Sequence, residues 1–170
     1  MRQAACGGGA PQAVRAYIAF GANLGDPAAA FDQTLAQLSA LAATRLAGRS
    51  RLYRSAPVDA PGQPDYINAV IAVDTGLAPL QLLHALQELE LAAGRSRAYR
   101  NAPRPLDLDL LLYGETRWHD GELTLPHPRM HQRAFVLRPL AELAPGLHIP
   151  GHGDLATLLP AVADQAAIPL

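Results

Sequence analysis

Residues 106–113 read LDLDLLLY. Leu106, Leu108 and Leu110 alternate with Asp107 and Asp109, the period of two that a half-buried strand requires. The leucines then share one face and the two carboxylates the other, and Gly114 stops the run. Towards the N-terminus, Pro79 opens a helix whose Leu82, Leu86, Leu89 and Ala93 lie on one side, with Gly94 placed to end it. Tyr66 to Thr75, rich in valine and isoleucine, reads as a strand, and so does Thr44 to Arg54. Asp26-Pro27 supplies a cap and a first-turn proline for a helix from Pro27 to Leu41, paced by Phe31, Leu35, Leu38 and Ala42. Tyr17 to Phe20, ending at Gly21, is the first strand. The order strand, helix, strand, strand, helix, strand predicts an α+β chain with a ferredoxin-like βαββαβ core. In that plan an antiparallel sheet carries its helices on one face. Beyond Gly114 the chain is irregular and proline-rich; a hairpin around Thr116–Leu125 and helices near Phe135–Leu143 and Leu155–Val162 are expected.

The whole chain has 170 residues, 49% hydrophobic and 17% charged, enough apolar material for one sizeable core. Met1 to Val14, MRQAACGGGAPQAV, is too rich in glycine and small residues to pack, so it reads as a flexible tail before a single domain over 15–170. A net charge of −1 argues against a general nucleic-acid binder. All fourteen basic residues are arginines, and the single cysteine, Cys6, fits a reducing compartment. No apolar run has the length of a membrane span.

Asp107 and Asp109, roughly 6.5–7 Å apart along one face of a strand, suit a hard divalent cation such as magnesium, which takes carboxylates together with substrate phosphates. A solvated outer face would also accept two acids. The preceding loop, Gly94 to Pro105, shifts the balance, because Arg95, Arg97, Arg100 and Arg104 crowd within it. Guanidinium forks match phosphate oxygens, so the combination reads as a metal–phosphate site with a mobile lid. Gln87 and Glu90, three apart on the second helix, share a face that opens towards this loop. Tyr66 and Asn68 share a strand face; they read equally as a ring packed on the sheet with an amide near a strand end, or as a stacking ring beside an amide able to read the edge of a flat heterocycle. His127 lies between two prolines, which argues against a helical zinc pair with His131; it reads by default as a surface-loop histidine, with a phosphate donor as the functional alternative. Arg133 and Phe135 add a further cation and ring. Neither a P-loop nor a GxGxxG motif is present.

Four segments in order, AYIAFGANLGD, LYRSAPVDAPGQPDYINAVIAV, LQELELAAGRSRAYRNAPRPLDLDLLLYG and LTLPHPRMHQRAFVLRPLAELAP, resemble the 6-hydroxymethyl-7,8-dihydropterin pyrophosphokinase (HPPK) family of folate biosynthesis. The likeness spans about Ala16 to Pro150. It implies a ferredoxin-like fold and transfer of diphosphate from MgATP to the pterin's hydroxymethyl group, with release of AMP. It implies that Asp107 and Asp109 hold two magnesium ions and that Arg95 and Arg104 act on the phosphates. It places Arg97, Gln87, Glu90 and Leu110 on the nucleotide side, together with Thr124, His127 and Arg133. Ser55, Val58, Tyr66, Asn68 and Phe135 would form the pterin pocket. This chain departs from the family pattern in lacking a loop tryptophan near Arg100-Asn101-Ala102, in Ala56 after Ser55, and in Pro128 after the histidine. A domain that holds a nucleotide or pterin without turnover is the competing reading, but it has no need of two loop arginines beside paired aspartates. An RNA-binding domain of the same plan is opposed by the acidic pair on the fourth strand. The expected partners are ATP and the pterin alone, without nucleic acid or membrane, in a cytoplasmic monomer.

Overall fold

The computed structural model of the chain describes residues 12–57, 61–94 and 105–170. Strand β1 (Val14–Ala22) runs through the middle of the sheet. It is followed by α1 (Pro27–Ser39), β2 (Thr44–Arg49), β3 (Tyr53–Ser55), β4 (Tyr66–Thr75), α2 (Pro79–Ala92) and β5 (Asp107–Tyr113). A two-residue hairpin pair, β6 (Trp118–His119) and β7 (Thr124–Leu125), leads into a 3₁₀ turn at Met130–Gln132 and α3 (Ala134–Leu143). The chain closes with β8 (His148–Ile149), β9 (Gly153–Asp154), α4 (Leu155–Leu158) and β10 (Ile168–Pro169). The six-stranded sheet has the order β10-β3-β4-β1-β5, with β2 also paired to β4, and its pairings are antiparallel.

Local chemistry accounts for the element ends. Asp26 caps α1 by accepting from the Ala29 amide at 3.1 Å, with Pro27 in the first turn. Gly94, at φ +88°, follows α2 in the left-handed conformation that favours glycine. The predicted strand Thr44–Arg54 is divided in the structure. Ser50 turns inward between β2 and β3; its amide donates to Val70 O at 2.9 Å and its hydroxyl oxygen accepts from Val70 N at 2.9 Å.

The sheet is covered on both sides. Phe31 and Leu38 of α1 and Leu82 and Leu86 of α2 pack on the face carrying Ile18, Phe20, Ile71, Leu108 and Leu110. The opposite face, with Tyr17, Val70 and Ala72, receives Val136, Leu137 and Leu140 of α3. Helices on a single face were expected; the apolar side of α3 corrects this, because it can be buried only on the second face. A shift of register between Tyr17 and Ile18 places an extra residue in β5. That bulge lets Leu111 and Leu112 both join the α3 layer. The expected tail falls almost wholly on residues outside the described ones; its last residue, Val14, is already the first of β1, opposite Thr75.

Candidate active site

Helix α3 covers only part of its face of the sheet. Where it begins, a cleft of about 400 Å³ opens over the ends of β1, β3, β4 and β5. Its floor is set by register. Gly21 stands opposite Asn68 on one side and Asp107 on the other. A Cβ added at Gly21 would lie 3.5 Å from Asn68 Oδ1, so the missing side chain is what leaves the floor open.

One wall is polar and aromatic. Asn68, buried, donates from Nδ2 to Ser55 Oγ at 2.7 Å, and Tyr66 stands opposite Ser55 in the β3–β4 ladder. Phe135, in the first turn of α3, lies across the cleft with the Arg133 guanidinium 5.5 Å from its ring centre. Glu142 at the other end of α3 accepts from the Arg51 amide at 2.9 Å, from Arg51 Nε at 2.8 Å and from the Tyr53 hydroxyl. This clamp ties the far end of α3 to β3 and to Arg51 just before it.

The other wall is charged. Asp107 and Asp109 project into the cleft from β5, facing His127, Arg129 and Arg133. The His127 amide donates to Leu111 O at 2.9 Å, which holds the segment after β7 against β5. His127 Nδ1 accepts from the Arg129 amide at 3.2 Å, so the ring carries its proton on Nε2 when neutral. Burial, reinforced by the Arg133 charge and opposed by Asp107, pushes the ring's pKa down to about 4, so it is neutral near pH 7. Burial lowers the pKa of Arg133 as well, while Asp109 and Asp107 act to raise it; a guanidinium stays charged under such shifts.

Ser55, Tyr66, Asn68, Phe135, Asp107, Asp109, His127 and Arg133, which the sequence reading divided among pterin, metal and nucleotide roles, all line one cleft. Thr124 pairs instead with His119 Nδ1 at 3.2 Å on the β6–β7 hairpin. The Leu110 side chain is buried on the opposite face, beneath α1 and α2. Gln87 is half-buried on α2, and Glu90, buried one turn later, accepts from the Leu108 amide at 2.7 Å. Val58, Arg95, Arg97 and Arg104 lie outside the described residues. Arg129 is a cleft residue that sequence reasoning missed. Its only signal was a cation two positions after His127, hidden in what read as a surface loop.

The donor set suits magnesium. Two carboxylates offer hard oxygens from one strand face, and among the described residues no group of three or more histidine, cysteine or acidic side chains forms a closed cage. Magnesium is commonly held that way, by one or two carboxylates with phosphates and water completing the shell.

A cleft that sets a carboxylate pair and cations beside an aromatic, amide-lined pocket is the form of a phosphoryl-transfer site for a flat heterocyclic substrate. Comparison with known proteins gives the family. Residues 17–145 match the family model described as 7,8-dihydro-6-hydroxymethylpterin-pyrophosphokinase (HPPK), and the chain belongs to that family. It is 48% identical over 147 residues to the 2-amino-4-hydroxy-6-hydroxymethyldihydropteridine pyrophosphokinase of Pseudomonas aeruginosa, covering 86% of this chain and 91% of that one. The Haemophilus influenzae protein of the same description is 42% identical over 157 residues, 92% of this chain and 98% of that one. Among solved structures, a Plasmodium falciparum HPPK-DHPS superposes with a TM-score of 0.69 at 12% identity, over 93% of this chain. The match spans about half of that longer chain, at 47%, and at this identity it speaks for the fold.

Proposed function

We propose that this chain transfers diphosphate from ATP to the hydroxymethyl group of 6-hydroxymethyl-7,8-dihydropterin, releasing AMP, as a step of folate biosynthesis. Family membership over most of the chain carries the activity, and the convergence of Asp107 and Asp109 with Tyr66, Asn68 and Phe135 on one cleft supports the site. With β2 and β3 taken as one interrupted strand, both paired to β4, the βαββαβ order and the place of β1 between β4 and β5 support reading the core as ferredoxin-like.

In this reading Asn68, held by Ser55, and the rings of Tyr66 and Phe135 grip the pterin, with Val58 completing that pocket. The substrate hydroxyl is thereby directed at the β-phosphorus of ATP, in line with the departing AMP. Asp107 and Asp109 would hold two magnesium ions, which supply charge neutralisation on the phosphate oxygens when bound. Neutral His127 keeps its Nε2 proton and donates a hydrogen bond through it to a phosphate oxygen. Arg133, charged and half-buried, sits where negative charge accumulates. Arg95, Arg97 and Arg104, which lie between α2 and β5 in the sequence, act on the phosphates. Gln87, Thr124 and the Leu110 backbone are assigned to the nucleotide side by the family likeness, and Glu90 acts from behind β5, where its buried carboxylate accepts from the Leu108 amide. The chain works as a cytoplasmic monomer, and its lone cysteine supports the reducing compartment.

The test is product analysis with ATP and magnesium, with and without the pterin. Stoichiometric AMP and a diphosphorylated pterin are expected only when the pterin is present. ADP as the nucleotide product, or equal AMP without the pterin, would overturn the assignment.

A further inference from the structure

Glu90 is a carboxylate only 4% exposed, on the sheet-facing side of α2. Buried carboxylates are rare without a specific partner. Here one partner is a backbone amide: Leu108 N donates to Glu90 Oε1 at 2.7 Å, across a buried contact. Leu108 stands opposite Phe20 in β5, which forms one margin of the sheet. Its amide is turned away from β1, and Glu90 supplies the acceptor that a neighbouring strand would otherwise provide.

The place of this bond in the sequence matters. Leu108 separates Asp107 from Asp109, and the two aspartates emerge from its flanks onto the cleft face. The Leu108 side chain points the other way, into the α1–α2 layer. Residue 108 is therefore anchored on one side by its leucine and at its amide by Glu90. A rotation of that peptide would move both carboxylates at once and change their separation. We propose that Glu90 is a positioning residue for the Asp107–Asp109 pair, holding the peptide between them through the Leu108 amide. This rests on the pyrophosphokinase reading of the cleft and gives α2 a part in the geometry of the metal site.

The experiment uses the full chain and three variants. Glu90→Met keeps the volume and removes the acceptor, Glu90→Gln keeps an acceptor oxygen, and Asp107→Asn is the reference for a lost metal ligand. A melting curve establishes that each is folded. Three readouts follow: exchange of the Leu108 amide in the ligand-free protein, Mn2+ affinity without nucleotide by water-proton relaxation, and steady-state kinetics. In Glu90→Met the Leu108 amide exchanges faster, Mn2+ affinity and kcat each fall about 10-fold or more, and Glu90→Gln stays within about 3-fold of the parent, the range seen when support behind a metal ligand is removed. The KM for the pterin is unchanged. Loss of Mn2+ in Asp107→Asn with unaltered Mn2+ affinity in Glu90→Met overturns the positioning role alone. Unaltered affinity in both overturns the metal reading with it.

Discussion

Asn68 donates to Ser55 Oγ at 2.7 Å inside the sheet, and this bond orients the amide so that its oxygen lies over the space left by Gly21. Asn68→Ala removes both the oriented oxygen and the partner of the buried hydroxyl. A loss of about 1–3 kcal/mol is expected in pterin binding, the range for a buried hydrogen bond left unmade. ATP binding alone is retained. Calorimetry with each ligand separates the two, and equal losses would mean a damaged fold.

Gly21→Ala tests the floor. The added methyl meets Asn68 Oδ1 at an ordinary 3.5 Å, so the melting temperature holds. The methyl occupies the space between Asn68 and Asp107, so pterin affinity falls. A protein that binds pterin as before would show that the ligand does not lie over this position.

Asp107→Asn and Asp109→Asn each leave the apolar side of β5 untouched. Turnover falls by about 100-fold or more in each, as for removal of a strongly charge-stabilising group, while far-UV dichroism and melting are kept. Undiminished turnover in either at saturating magnesium counts against that residue as a ligand.

His127 gives a pH signature. Its pKa in the fold is about 4, below the ordinary 6.5, so between those values the unfolded chain binds the proton and the folded chain does not. Its contribution to stability is complete above pH 6.5 and is lost as the pH falls towards 4. Nitrogen-15 spectra should find Nε2 protonated and Nδ1 free of protons at pH 7. Urea unfolding at pH 7 and pH 5 should show a smaller decline in His127→Gln than in the parent. An imidazole titrating near 6.5 would refute the buried neutral ring.

The clamp at Glu142 has a stability cost of its own. Glu142→Ala strands the Tyr53 hydroxyl in a buried site and should destabilise by about 2 kcal/mol, whereas Tyr53→Phe, which removes the hydroxyl itself, should cost less. Denaturant midpoints give both values, and an unchanged midpoint in Glu142→Ala would show that α3 is held without it.

The core strands and both long helices were legible because each repeats its apolar residues at one period over many residues. Elements whose cause is a single contact were not. The break between β2 and β3 depends on Ser50 bonding to Val70, a partner twenty residues away. The bulge in β5 looks in sequence like three ordinary leucines. Strands β8, β9 and β10 are two residues long, below any period. In the site, Asp107, Asp109, Asn68 and Tyr66 could be paired by their spacing alone. The neutral state of His127 could not, because it comes from burial and from Arg133, and neither is a local property of Pro126-His127-Pro128.

Gly21 takes its neighbours from β4 and β5, which follow it at increasing distance along the chain. On a ribosome, β1 emerges with no strand partner and must wait for β4 and β5 to be made before its two edges are paired. Non-local pairing of this kind makes folding slow and leaves apolar strand exposed in the interval. No nascent fragment ending before β5 can bind either substrate. Ligands that stabilise the finished enzyme therefore act only once β5 is in place, and the earliest shelter for β1 during synthesis is α1, whose Phe31 and Leu38 pack on its apolar face.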